Sequence, residues 1–286
     1  MKRLTGWLAR AVSYLIFKLP HKLRWWMAAS LAILWLDIFR IRRQVVLDNL
    51  EIAFPEWSAR ERLYAARQSL RHLGLNFIEY SFLPWLKPDN VDRYFEYHGL
   101  DVFESALKEG KGVLLLTLHL GHGDLAASAL AIRGYPMTMV SKFFKLQWLN
   151  DLWFGMRERV GMKFVPPRNS SYALLKALKR GDAVIIPLDQ FTGPPIGVRT
   201  KFFGRETGTA AGLAVMAQRS GAPVVSVYTV RTPSGRHAIH FVRRMNTEGE
   251  VETVTQGFND ELEYFVRREP EQWMWLHRRW KRFVVQ

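Results

Sequence analysis

From about residue 95 onward, short apolar runs alternate with stretches of helical periodicity, and this rhythm constrains the fold more than any other feature of the chain. The runs predict strands at Val113–His119, Met137–Val140, Ala183–Leu188, Val224–Val230 and Ala238–Val242. The intervening patterns predict helices at Leu125–Ile132, Trp148–Arg159, Ser171–Lys179 and Gly208–Ser220. Such alternation predicts an α/β domain, a mixed central sheet flanked by helices. No internal repeat or low-complexity linker divides it. The expected organisation is an N-terminal membrane anchor over 1–43 and an α/β domain over 44–286, of which 44–90 is a helical lead-in.

The first predicted strand delivers a histidine to a glycine-rich turn, His119-Leu-Gly-His-Gly-Asp124. Strand-to-helix turns at the carboxyl edge of a sheet are where α/β folds commonly place chemistry. A histidine held by a carboxylate is the usual general base near neutral pH. Gly121 and Gly123 permit a tight turn and close approach of backbone to ligand. Asp124 falls in the first helical turn, where the dipole favours its ionised form. A His-x4-Asp spacing also arises by chance in chains that use neither residue. His122 could join His119 and Asp124 around a metal, but no further cluster of ligand spacing accompanies them, so no metal is expected.

Charge directs the search for partners. Lys and Arg number 41 against 26 Asp and Glu, a formal charge of +15, and the chain carries 11 Trp and 18 Phe. Basic, aromatic-rich chains suit nucleic acid or an anionic membrane. Zinc-finger spacing, aromatic RNA-binding strand motifs and purely basic tails are missing, which favours the membrane over nucleic acid. With no cysteine, disulfides, thiolate catalysis and Cys-ligated metals are excluded.

Two N-terminal segments carry the membrane expectation. Leu4, Trp7, Leu8, Ala11, Val12 and Leu15 share one helical face, with Lys2, Arg3 and Arg10 off it. Trp25 to Phe39 is apolar except for Ser30 and Asp37. It reaches roughly 22 Å as a helix, short of the ~30 Å of a hydrocarbon core. It reads as a tilted or half-inserted anchor, with a helix buried in the protein as the rival. Ser58 to Glu61 forms a capping box, and the helix behind it carries Leu63, Ala66, Leu70, Leu73 and Phe77 at helical spacing.

Other constellations offer substrate contacts. Asp189-Gln190 closes a predicted strand, a position equally suited to a turn-forming Asx residue. Phe202-Phe203-Gly204 reads as an aromatic loop, and Thr207-Gly-Thr209 as the opening of a helix whose amides could take an anion. Arg157, within a helix, reads as a solvated residue. Trp273, Trp275 and Trp280 amid His277, Arg278, Arg279 and Lys281 read as a belt for a headgroup surface.

Taken in order, these residues carry a resemblance. Asn49-Leu50, Ala53-Phe-Pro-Glu56, His119-x4-Asp124, Asp189-Gln190, Phe202-Phe203-Gly204, Pro270-Glu-Gln-Trp273 and His277-Arg-Arg-Trp-Lys281 resemble the late acyltransferases of bacterial lipid A biosynthesis, within the lysophospholipid acyltransferase superfamily. The resemblance spans nearly the whole chain. It implies a glycerolipid-acyltransferase-like fold at the cytoplasmic face of the inner membrane. It implies transfer of a fatty acyl chain from acyl carrier protein to a hydroxyl of a lipid A precursor, with no cofactor. By the same matching His119 is the base, Asp124 its partner and Arg157 the arginine that follows the motif. Gly121, Gly123, Asp189 and Gln190 stand as substrate contacts. Many lipid A members carry Glu where this chain has Asp124. The alternatives are another lysophospholipid or aminolipid acceptor, or a membrane-anchored lipid hydrolase using water.

Overall fold

The computed structural model describes residues 2–141, 144–166 and 170–283, with residues 2–9 and 149 described by backbone alone. The expected mixed sheet is present. Among the described residues nine strands form: β1 (Phe95–His98), β2 (Val113–Thr117), β3 (Met137–Val140), β4 (Lys163–Val165), β5 (Ala183–Pro187), β6 (Gly197–Phe202), β7 (Arg205–Ala210), β8 (Val224–Arg231) and β9 (His237–Arg244). Seven make the central sheet in the order β1-β9-β8-β2-β5-β3-β4, parallel except where β9 runs antiparallel to β8. The five predicted strands are all present, with ends shifted by at most two residues. β1, Phe-Glu-Tyr-His at the sheet edge, mixes polar with apolar residues, and β4 is three residues long, so neither forms an apolar run.

The main departure is the hairpin β6–β7. Thr207-Gly-Thr209, expected to open a helix, lies in β7 and pairs with Thr200, Arg199 and Val198. Its turn is Phe203-Gly204, with φ of 52° and 69°. Two residues at positive φ match the twist of a two-residue hairpin. Helix α9 therefore starts only at Gly212 and runs to Ser220.

The helices divide between the faces of the sheet. α5 (Leu100–Leu107) and α6 (Gly123–Ile132) share one core with Leu115, Ile185 and Val227. α8 (Ser170–Lys179), α9 and α10 (Val251–Arg268) share the other with Leu114, Leu116 and Val184. β2 sits centrally, so its carboxyl end opens between two helical layers, where open α/β sheets bind ligands.

The N-terminal helices are α1 (Lys2–Lys18), α2 (His21–Ile33), α3 (Arg43–Ala53) and α4 (Ala59–Glu79). The capping box on α4 is present, with Ser58 and Glu61 bonded reciprocally. The expected anchor is corrected here. No helix among the described residues is long and apolar enough to cross a membrane. α2 instead packs along α4, ends in a π-helical turn at Leu34–Ile38, and buries Ala32 and Leu36 in the main core. Asp37, costly inside a bilayer, pairs with Arg43 at 2.7 Å and Arg67 at 2.9 Å. The outer side of the same segment stays bare, with Trp26 69% and Phe39 67% exposed. On α1, Phe17 docks edge-on against Phe82, whereas Val12 and Leu15 of the predicted apolar face are exposed. Leu4, Trp7 and Leu8 lie outside the described side chains.

Candidate active site

β2 ends at Thr117, and the chain turns through His119 before entering α6. The turn is fixed by its neighbours. Gly121 has φ 58°, and a Cβ there would lie 2.2 Å from the Thr229 carbonyl oxygen, so only glycine fits. The Gly121 amide donates to the Gln272 carbonyl at 3.1 Å, and the Gly121 carbonyl accepts from Asn76 Nδ2 at 2.6 Å. The Met274 amide donates to the His119 carbonyl at 3.0 Å.

The partner of His119 is not the one the spacing suggested. His119 Nδ1 lies 2.8 Å from Asp189 Oδ1, and the His119 amide donates to Asp189 Oδ2 at 3.0 Å. The Trp273 indole donates to the same Oδ2 at 2.8 Å. Asp189 is 2% exposed, while 38% of the His119 side chain stays accessible. Burial opposes ionisation of Asp189, but the charge and hydrogen bonds of His119 outweigh it, and the carboxyl is held down at about 2. Burial also disfavours the His119 imidazolium. The Asp189 charge and hydrogen bond prevail, Asp124 adds a smaller push, and the His119 pKa ends above the usual histidine value.

Asp124 is engaged elsewhere. Its Oδ1 accepts from Arg157 at 3.0 Å and its Oδ2 accepts from the Tyr80 hydroxyl. Expected as a solvated residue and a substrate contact, Arg157 on α7 (Gln147–Glu158) has a side chain only 1% exposed, enclosed by the Trp153, Phe154 and Phe164 rings. It lies behind Asp124, not on the cavity wall. His122 is buried, its ring edge-on against those of Tyr80 and His237. Its Nδ1 accepts from the Leu125 amide at 3.4 Å, and desolvation, then repulsion from His237, keeps its pKa well below the usual value. Among the described residues, no group of three or more potential ligands is placed to hold a metal.

A cavity of about 870 Å³ opens at His119, Gly121, Gly123, Asp124 and Gln190. It is within the range of ligand pockets, about 300–1,000 Å³. It straddles the carboxyl edge of the sheet. One arm runs between α6 and the sheet past Leu115, Ala127, Met137 and Ile185; the other lies toward Ser170, Leu174 and Leu213. A Cβ on Gly123 would meet nothing within 4 Å, so the start of α6 faces open space.

The C-terminal segment is a second correction. Read as a headgroup belt, it is instead the clamp on the site, with Trp273, Trp275 and Arg279 at most 1% exposed. Arg279 donates to the Gly208 carbonyl at 2.6 Å and to Thr209 Oγ1 at 2.7 Å, and Asn49 Nδ2 donates to the Trp275 and His277 carbonyls, each at 2.7 Å. His277 Nε2 accepts from the Phe191 amide at 3.0 Å, just past Asp189-Gln190.

Sequence reasoning missed Asn76, Tyr80 and the buried group behind them. Arg231, paired with the fully buried Glu79, donates to Asn76 Oδ1 at 3.0 Å, and its second nitrogen lies 2.8 Å from His72 Nδ1. Gln272 Oε1 accepts from the Arg231 amide at 2.7 Å. The available signal was His72, Asn76 and Tyr80, a polar stripe at four-residue spacing along the end of α4 and into the turn after it.

Comparison with known proteins settles the lineage. The profile described as bacterial lipid A biosynthesis acyltransferase matches residues 1–282. The chain belongs to that family. A lipid A biosynthesis lauroyltransferase of Escherichia coli is 28% identical over 282 residues, 96% of this chain and 90% of the relative. A palmitoleoyltransferase of the same organism is 27% identical over 280 residues, 96% of this chain and 90% of the relative. A lipid A biosynthesis acyltransferase of Haemophilus influenzae is 25% identical over 271 residues, 94% of this chain and 85% of the relative. The motif residues of this family member thus fall into two groups. His119, Asp124, Gln190 and Trp273 reach the cavity, whereas Asn49, Phe203 and Arg279 build its frame.

Proposed function

We propose that this family member transfers a fatty acyl group from a thioester on acyl carrier protein to a hydroxyl of a lipid A precursor, at the cytoplasmic face of the bacterial inner membrane. The observation that carries the reading is the His119–Asp189 pair, 2.8 Å apart, at the head of a largely apolar cavity. Asp189 accepts from Nδ1–H, which leaves Nε2 as the basic nitrogen. Nε2 takes the proton of the acceptor hydroxyl as its oxygen attacks the thioester carbonyl. A tetrahedral oxyanion forms, the C–S bond breaks, and the imidazolium returns the proton to the departing sulfur. Ester and free thiol are the products, with no covalent enzyme intermediate.

The oxyanion needs donors placed where charge develops. The Gly121 amide is already given to Gln272, and Arg157 is given to Asp124. That directs the role to the Gly123 amide, at the positive end of α6. Asp124 acts by charge and by shaping the cavity wall, rather than by orienting His119.

The formal +15 charge suits an acidic carrier protein and phosphorylated lipid. The bare outer faces of α1 and α2 supply apolar contact with the membrane surface, without a span. His119→Ala should leave the fold intact and lower transfer by at least ~10²-fold. Lipid extracts from cells with and without the protein, analysed by mass spectrometry, should differ by one acyl chain on the precursor. Release of free fatty acid with no acylated lipid would favour the hydrolase reading.

A further inference from the structure

We propose that Met137, backed by Leu130, is the stop that limits the length of the transferred acyl chain, an inference that rests on the acyl-transfer reading above. The two arms of the cavity differ in chemistry. The arm on the α8–α9 face mixes the hydroxyls of Ser141, Ser170, Ser171 and Thr192 with the apolar Leu174, Leu213 and Met216. Those hydroxyls suit the polar part of a substrate. The arm under α6 is closed by hydrocarbon: Leu115 and Ile185 on the sheet, and Ala126 and Ala127 on the helix. The two alanines are the reason the arm exists, because larger side chains there would fill the space between α6 and the sheet.

Register fixes its depth. Met137 pairs with Ala183, which pairs with Val113, so Met137 stands level with the start of β2. Six residues separate Val113 from His119 along the chain. At roughly 3.3 Å per strand residue that is at most about 20 Å, and Met137's own side chain shortens it. An extended chain built from ~1.5 Å carbon–carbon bonds advances roughly 1.3 Å per methylene, so the arm holds about 12–14 carbons. Leu130 descends α6 to the same end, and both side chains are buried, Met137 at 0% and Leu130 at 3%. A thioether side chain at the end of a hydrocarbon slot is deformable, so the limit is a graded preference.

The test compares the full-length parent with Met137→Ala and Ala127→Leu on carrier-protein thioesters of even saturated chains from octanoyl to stearoyl. Folding is followed by circular dichroism. Met137→Ala should raise relative kcat/KM for a chain two carbons beyond the parent optimum roughly ten-fold, the scale of two more buried methylenes. Ala127→Leu should move the optimum to shorter chains. If it does not fold, Met137→Ala decides alone. A folded, active Met137→Ala enzyme with the parent's chain profile overturns the stop. A parent that transfers no acyl group from any thioester overturns the acyl-transfer reading itself, and this inference with it.

Discussion

Replacing Asp189 with asparagine separates the arrangement seen here from the one the motif spacing suggests. The carboxylate accepts three hydrogen bonds: Oδ2 from the His119 amide at 3.0 Å and the Trp273 indole at 2.8 Å, Oδ1 from His119 Nδ1 at 2.8 Å. An asparagine amide has one accepting oxygen and one donating nitrogen. Its nitrogen cannot take the Oδ2 position, because two N–H groups already point there. It must therefore face Nδ1. That forces the imidazole to accept at Nδ1 and carry its proton on Nε2, the tautomer that cannot deprotonate a hydroxyl. The same tautomer inversion in a serine protease triad costs ~10⁴-fold in kcat, and a loss of about 10³–10⁴-fold is expected here. Initial rates of acyl transfer, with thermal melts to verify folding, measure it.

The pH profile gives a second readout. In the proposed mechanism neutral His119 is the active form, so parent activity should rise as pH climbs through its raised pKa. Without the carboxylate, burial still disfavours the imidazolium, and the residual acid limb should move to lower pH. The stability contribution of the pair has two edges. The His119 part is full below about 6.5 and lost as pH rises through the raised value. The Asp189 part is full above ~3.9 and lost as pH falls through about 2. Asp189→Asn should flatten both edges. Activity within ten-fold of the parent, from a folded Asp189→Asn protein, would refute the reasoning and return the orienting role to another group.

Arg157→Met should destabilise the fold by about 3 kcal/mol in urea unfolding, because it strands the Asp124 carboxylate that the buried guanidinium neutralises. Tyr80→Phe removes only the hydroxyl donated to Asp124, so about 1–2 kcal/mol and a smaller loss of activity are expected. Trp26→Ser with Phe39→Ser should weaken sedimentation with anionic vesicles while leaving the melting temperature unchanged, since both rings are exposed; unchanged vesicle binding would remove the α2 face from the membrane surface.

Strand and helix order was legible because burial on both sides of a parallel sheet demands unbroken apolar runs such as Val113–Thr117. The hairpin β6–β7 was not, because Thr207-Gly-Thr209 resembles a helix opening until pairing with Val198–Thr200 fills its backbone bonds. The apolar stretch from Trp25 also misled. Its composition fits either a bilayer or a protein core, and only the groove along α4, which takes Ala32 and Leu36, decides between them.

For the site, the sequence by itself pointed to His119, the proposed base. A histidine at the carboxyl end of a central strand, followed by a glycine-rich turn, stands where open α/β sheets place ligands. It named Asp124 and Asp189 as candidates and Arg157 only through the family resemblance, and it did not name Asn76 or Tyr80. What the tertiary structure decided was their pairing. Spacing along a chain reports neighbours only within one element. The carboxylate five residues from His119 is turned by the first turn of α6 toward Tyr80 and Arg157, whereas the one seventy residues away arrives beside it because β5 pairs with β2 in register, Pro187 against Thr117. Hydrogen bonds form between groups adjacent in space, and in a parallel sheet the carboxyl ends of neighbouring strands are adjacent however distant they are in sequence.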